Sequence, residues 1–264
     1  NLIWSIDFVD FRHFSSLSDL NLASNQIRSL DNVIFNKSQY LENLNLKKNQ
    51  IESIDKVNFR GLESLKTLDL SENPLNLSSK SFCFTGLTNL SRLILRSLNL
   101  KNLVNVSFQG LEKSLDIIDF TDNQFISTND ISINGLFHLN TIVLNGNQIS
   151  SIDNTVRVFD NNNQLDKLTI HLENNPIYLI KPSNFPLTHT IKFEFSTFLS
   201  IWNPNLNYFF EENSRENIMF FLASNVDPDR ICRNSHLFLR RKIYFMKFYQ
   251  SIPIRLDNHD QIDI

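Results

Sequence analysis

The chain has 264 residues and a formal net charge of −3, with 41% hydrophobic and 20% charged residues. That is enough chain to bury a sizeable core, and it gives no global electrostatic case for binding nucleic acid. Five Gly, seven Pro and two Cys exclude Gly-rich phosphate loops, collagen, a disulfide-dense scaffold and a four-cysteine zinc site.

From the N-terminus onward the chain repeats itself. The pattern L-x-x-L-x-L-x-x-N-x-L is first complete at Leu17, Leu20, Leu22, Asn25 and Ile27, and recurs at Leu41, Leu44, Leu46, Asn49 and Ile51. Copies follow from Leu65 to Leu75, Leu90 to Leu100, Leu115 to Phe125 and Leu139 to Ile149, at steps of 24 or 25 residues. A further copy, Ile170, Leu172, Asn175 and Ile177, comes after an insertion holding Asn161, Asn162 and Asn163. Counted back with the same offsets, Asn1 falls on the asparagine position, so the chain reads as starting in mid-repeat, as a fragment would. An aromatic stands six residues before the next first leucine at Phe11, Phe35, Phe59 and Phe84, and Phe159 precedes the insertion. Phe108 is displaced by one, and Ile133 substitutes once. Gly-Leu pairs follow at Gly61, Gly86, Gly110 and Gly135.

This periodicity resembles the leucine-rich repeat family, in its typical 24-residue subclass common in animal extracellular receptors and secreted binders such as Toll-like and Slit-like proteins. The resemblance covers residues 1–198. It implies an α/β-type repeat solenoid, a horseshoe with a parallel concave sheet. It also implies a non-catalytic ectodomain fragment, extracellular or at the cell surface, that recognises a protein ligand or co-receptor in signal transduction. An intracellular, cytoplasmic scaffold or adaptor is the alternative, and a signal sequence or membrane span in a longer parent would separate the two. No apolar run here reaches the roughly 18 residues that span a bilayer, so an anchor of such a parent would lie outside this chain.

The physics of the pattern agrees. Each L-x-L segment alternates apolar and polar residues, as a strand with one buried face does. One repeat cannot bury its own leucines, so repeats stack into an array. The asparagine after each strand can satisfy buried backbone groups of neighbouring turns. Leu98 occupies that position once; the expectation there is a dry rung compensated by backbone or water, against a deliberate bend.

Residues 178–264 lose the period. Thr190 to Phe198 reads as a last strand with Phe193 and Phe195 inward, and Ser214 to Ala223 as a short amphipathic helix with Ile218, Phe221 and Leu222 on one face. Asp227-Pro228-Asp229 marks a turn. Residues 199–264 are thus expected to be a degenerate C-terminal cap and tail, similar to the caps of extracellular leucine-rich repeats but lacking their paired cysteines.

Catalytic chemistry finds no motif. The six histidines form no i, i+4 pair, and neither C-x-x-C nor G-x-S-x-G occurs. No cofactor or metal is expected. Arg240, Arg241, Lys242 and Lys247 interleave with aromatics, which reads either as a cap helix with a solvated basic face or as a membrane-surface contact. Four sequons occur, at Asn36, Asn76, Asn89 and Asn105, a number that a chain rich in Asn and Ser produces by chance. Asn36, Asn76 and Asn105 are the glycosylation candidates; Asn89 abuts an inward leucine.

Recognition is expected on the outward strand positions. There Lys47 and Lys48 are followed by Asp69 and Glu72, then Arg92 and Arg96, then Asp119 with Thr121 and Asp122. Banded charge suits a protein partner with complementary bands better than a uniform polyanion, although it also simply keeps a sheet soluble. Ile94, Ile117 and Val143 form a diagonal that reads as exposed and apolar, a candidate hot spot, and His171 lies farther along the face. Eight strands at about 4.8 Å and four residues across give on the order of 500 Å², short of the roughly 800 Å² per partner of a standard interface.

Overall fold

The computed structural model describes residues 2–152 apart from 7–8, 10, 12–13, 15, 37, 55–56, 58, 76–81, 104–107 and 134. It further describes 167–176 and the backbone of strands at 179–180, 190–195, 218–222, 255–256 and 262–263; of Phe82, Cys83, Ile152 and Lys167 it also gives the backbone alone. The insertion at 161–163, Phe159, the turn at 227–229, the basic segment at 240–247, and the sequons' Asn76 and Asn105 fall outside the described residues.

Nine described strands form one parallel sheet in chain order. They are β1 (Asp19–Asn21), β2 (Asn43–Asn45), β3 (Thr67–Asp69), β4 (Arg92–Ile94), β5 (Ile117–Asp119), β6 (Thr141–Val143), β7 (Lys167–His171), β8 (Thr190–Phe195) and β9 (Ile218–Leu222). The register aligns the repeats residue for residue: Leu20, Leu44, Leu68, Leu93, Ile118, Ile142 and Ile170 form one row. Leu44, Leu68, Leu93, Ile118 and Ile142 in that row are at most 1% exposed, so each contributes roughly the full burial of an aliphatic side chain, about 1.5–3 kcal/mol. Leu20 lies on the edge strand of the described sheet and stays partly exposed.

The aromatics form a second spine on the far side of the core. Phe35, Phe59 and Phe84 are 1% exposed and Phe108 is 3%. Phe84 stacks between Phe59 and Phe108, with ring centroids at 6.0 and 6.4 Å, and Phe11 stacks on Phe35 at 5.5 Å. Ile133 fills the same place, fully buried.

Asparagines lock each repeat to the one before. Asn49 Nδ2 donates to the Leu46 carbonyl at 2.9 Å and to the Leu22 carbonyl of the preceding repeat at 3.0 Å, while its Oδ1 accepts the Ile27 N–H at 3.0 Å. Asn73, Asn147 and Asn175 repeat that set. At the Leu98 rung the next asparagine takes one extra donor. Asn123 Oδ1 accepts both the Leu98 and the Leu100 N–H, each at 3.0 Å, and Asn99 takes a positive φ of 58°.

One expectation is corrected. The anticipated helix at Ser214–Ala223 is replaced where it is described: Ile218–Leu222 is β9, paired in parallel with β8. Five consecutive apolar residues carry no period, and the open edge of β8 offers unpaired backbone groups that a strand satisfies. The sheet therefore runs on past residue 198. The helical share of the α/β class is small: the described residues hold a 3-10 turn at Thr128–Asp130 but no α-helix. The returns are chains of tight turns instead. Leu62 N–H reaches the Phe59 carbonyl at 3.1 Å and Leu65 N–H the Leu62 carbonyl at 3.0 Å. Short parallel strand pairs such as Phe82–Cys83 with Phe108–Gln109 join neighbouring returns.

Candidate functional site

The face of the sheet opposite the leucines carries two columns of side chains. One runs Asp19, Asn43, Thr67, Arg92, Ile117, Thr141 and Thr169; the other runs Asn21, Asn45, Asp69, Ile94, Asp119, Val143 and His171. The predicted register of these outward positions is the observed one.

The second column has a local job. Asn21, Asn45, Asp69 and Asp119 each turn a side-chain Oδ1 onto the N–H two residues ahead, at 2.9–3.0 Å, closing the turn at the strand exit. Ile94 stands in that column without an acceptor, and the Arg96 N–H goes instead to Ser71 Oγ at 3.2 Å. The turn then enters a left-handed residue immediately before each asparagine rung. Ser24, Lys48, Glu72, Ser97, Asp122 and Asn174 have φ between 53° and 57°, and Gly146 has φ 66°. This repeating conformation has no sequence signal, since just one of these residues is glycine. It also means that Lys48 and Glu72 project from the turn and not from the strand.

The charge bands neutralise each other across neighbouring strands. Lys47 Nζ lies 3.0 Å from Glu72 Oε1. Arg96 Nη2 and Nε hold Asp119 Oδ2 at 2.6 and 2.8 Å, and Thr121 Oγ1 donates to Asp119 Oδ1 at 2.6 Å. Asp119 is fully buried beneath this cover. Burial pushes its carboxyl up, but the hydrogen bonds from Arg96 and Thr121 outweigh that and leave it below its ordinary range. The hydrogen bond to Asp119 raises Arg96 in turn. At the first strand, hydrogen bonds from Ser18 and then Asn43, both 2.6 Å, lower the Asp19 carboxyl.

The leucine rich repeat family profile matches residues 15–75. This is a leucine-rich repeat solenoid. A solved structure of TLR13 in a complex with ssRNA13 superposes with a TM-score of 0.57 at 21% identity, over 92% of this chain and 34% of that one. The repeat array thus spans about a third of the TLR13 chain, and the likeness concerns the fold. Human 5T4, a trophoblast glycoprotein, gives a TM-score of 0.40 at 23% identity, over 60% of this chain and 70% of that one. The functional domain of InlJ from Listeria monocytogenes, described as including a cysteine ladder, gives 0.32 at 13% identity, over 73% and 48%. No curated protein matches the chain.

Within the repeat array, the expected site residues fall as follows. Lys48, Glu72, Arg92 and Arg96 are exposed, and Lys47, Asp69, Thr121 and His171 half-buried. Asp119 is corrected: it is expected to face a ligand, but it is sealed under Arg96, because a carboxylate at the column's turn position accepts from both the backbone and the neighbouring strand. Ile94, Ile117 and Val143 are half-buried, not exposed, as neighbouring side chains in each column shield them; Ile94 and Val143 lie on either side of Asp119. Of the sequons, Asn36 and Asn89 are exposed. Among the described residues no three His, Cys, Asp or Glu gather as a metal site would need, and no helix is long and apolar enough to cross a membrane.

Proposed function

We propose that this array is a non-catalytic binding module, extracellular or at the cell surface, that recognises a protein ligand or co-receptor through the open face of its sheet. The observation that carries the reading is Ile94. Four of its column neighbours are Asn or Asp and cap their own turns; Ile94 gives that bond up and gains no full burial in return. A large apolar residue that neither caps its turn nor reaches the core fits a face kept for contact. Ile117 and Val143 extend the apolar zone, flanked by Arg92 and His171.

Charge favours a protein over a polyanion. Lys47 and Arg96 are already tied to Glu72 and Asp119, so the face offers a phosphate backbone few free cations. Nine strands at about 4.8 Å span roughly 43 Å, and about 13 Å of width gives on the order of 560 Å². That is below the roughly 800 Å² of a standard interface, so the strand-exit turns bearing Lys48 and Glu72 belong to the footprint.

Site-directed photocrosslinking tests the proposal. A photoreactive residue at Ile94 should capture a defined protein that one at Arg60, on the return side, does not. Equal capture from both positions, or tight binding of single-stranded oligonucleotides by the unmodified chain, would overturn it.

A further inference from the structure

At Ser38 the core departs from the pattern that the following repeats keep. After each spine aromatic the chain makes the same turn, and the residue three on donates its N–H back to the aromatic's carbonyl. Leu62, Leu87 and Leu111 do so to Phe59, Phe84 and Phe108 at 3.0–3.1 Å, and Leu136 does so to Ile133 at 3.1 Å. All four leucines are at most 1% exposed. Ser38 makes the identical bond to Phe35 at 2.9 Å and is buried at 5%, yet it is a serine, and its Oγ has no hydrogen-bond partner among the described residues. Its neighbour Lys37 stands where the four repeats just named have Gly61, Gly86, Gly110 and Gly135; after Phe11 the same place is His13. A buried hydroxyl without a partner costs free energy, and a leucine there would bury several more methyl groups. The folded repeat gives no reason for Ser38.

The three residues together do give one. Asn36-Lys37-Ser38 is a sequon, and its hydroxyl is needed before the chain folds, when the acceptor segment is still extended and open. We propose that Asn36 carries an N-linked glycan, and that Ser38 replaces the repeat's leucine because the glycosylating enzyme requires its hydroxyl. The proposal rests on the extracellular reading above, since the modification takes place in the secretory pathway. In that step Asn36 Nδ2 forms a bond to the anomeric carbon of a lipid-linked oligosaccharide. The carbon–oxygen bond to the lipid pyrophosphate breaks, the pyrophosphate leaves with the electron pair, and the amide gives up one proton.

Position agrees with chemistry. Asn36 is exposed, outside the core on the return side, away from the two columns of the open face. Val33 and Phe35 point in while Ile34 and Asn36 point out, so a glycan root lies beside Ile34, which is 39% exposed, and four residues from Tyr40, which is 55% exposed. A sugar there covers apolar surface that would otherwise meet water. The contrast with Asn89 is informative. Its side chain is used by the fold, donating to the Glu63 carbonyl at 2.7 Å, and the middle residue of its sequon is the fully buried Leu90. Nothing at that sequon departs from the repeat.

The test is site occupancy. The protein isolated from its source, and the full chain secreted from a eukaryotic cell behind a foreign signal sequence, are deglycosylated enzymatically in heavy-oxygen water and mapped by mass spectrometry. Asn36 should be labelled in most molecules. Asn36→Gln and Ser38→Ala should each remove one glycan from the intact mass, and Ser38→Thr should retain it. A secreted wild-type chain unlabelled at Asn36 overturns the proposal. So does a second result: in chain made without glycosylation in a bacterial cytoplasm, Ser38→Ala should melt no lower than wild type. A melting temperature several degrees lower would assign the hydroxyl a packing role instead. Failure of the crosslinking from Ile94 leaves these outcomes untouched, so the two readings fall separately.

Discussion

Arg96 closes over Asp119 from the neighbouring strand exit, with Nη2 2.6 Å and Nε 2.8 Å from Oδ2, and so turns an outward strand position into a buried one. Removing the guanidinium would leave a buried carboxylate with Thr121 alone for company. Buried pairs broken on one side lose about 3–5 kcal/mol, but Arg96 is itself 44% exposed and water enters readily once it goes. Arg96→Ala should therefore cost about 1–2 kcal/mol in urea unfolding at neutral pH. A cost near zero would mean that the pair is ornamental.

The same carboxylate sets a pH dependence. Its folded pKa lies below the unfolded value, near 3.9, because the hydrogen bonds outweigh burial. Its stabilising contribution is therefore complete above about pH 5 and is lost as the pH falls through the folded value. Asp119→Asn should flatten that part of the acid limb of a stability–pH curve while changing the neutral plateau less. An unaltered acid limb would place the titration elsewhere.

Asn49 and Asn45 lie four residues apart and should respond very differently to alanine. Asn49 satisfies the Leu22 and Leu46 carbonyls and the Ile27 N–H, all buried; Asn45 accepts one half-exposed N–H from Lys47. At about 1 kcal/mol or more per orphaned buried group, Asn49→Ala should cost about 2–3 kcal/mol and Asn45→Ala less than about 1. Asn123, which accepts the Leu98 N–H as well as that of Leu100, should cost about 1 kcal/mol more than Asn147. Urea midpoints of the four alanine variants rank these costs directly.

What the sequence shows follows from period. Leu44, Leu68 and Leu93 announce the core row because a stacked strand repeats its inward residue at a fixed step, and the register of both outward columns came with it. What the sequence hides has no period or has the wrong residue type. Ser24, Lys48 and Glu72 adopt the left-handed conformation without being glycine, so nothing marks them. Ile218–Leu222 is apolar throughout, and a five-residue apolar run does not say strand or helix. Asp119 looks like the other charges of the face; only the reach of Arg96 from a different repeat buries it. Ser38 was legible as part of a sequon, but its meaning depends on the burial of the four leucines that share its place.

Gly86 and Gly135 occupy equivalent turns with positive φ, 110° and 88°, yet they differ in what surrounds them. A Cβ on Gly86 would sit 2.7 Å from the Phe59 carbonyl oxygen and 2.8 Å from its carbon, backbone that the aromatic spine holds in place. At Gly135 the nearest atom would be Glu112 Cγ at 3.9 Å. Gly135→Ala should cost about 1–2 kcal/mol from the backbone conformation alone. Gly86→Ala should exceed it by about 1–3 kcal/mol of steric strain. Thermal melts of the two variants side by side decide it; equal shifts would show that the spine gives way.

Ile94 allows stability and binding to be separated with one substitution. An aspartate there would lie in register between Asp69 and Asp119 and would weaken the fold by repulsion, so it is a poor probe. Asparagine is the column's own residue: Asn21 and Asn45 accept the N–H two residues ahead at 3.0 Å, and Asn at 94 could accept that of Arg96. Ile94→Asn should therefore leave the melting temperature within about 2 °C of wild type, consistent with a stability change below about 0.5 kcal/mol. If Ile94 anchors a protein partner, the same change removes the apolar group and should weaken binding by about 2 kcal/mol, some thirtyfold, mostly through faster dissociation. Lys47→Glu together with Lys48→Glu should act on the other half of the kinetics, slowing association and flattening its salt dependence. Surface-plasmon kinetics against the protein captured by crosslinking would read both. Unchanged kinetics for Ile94→Asn would move recognition off this face, and a large fall in melting temperature would show that Ile94 serves the core.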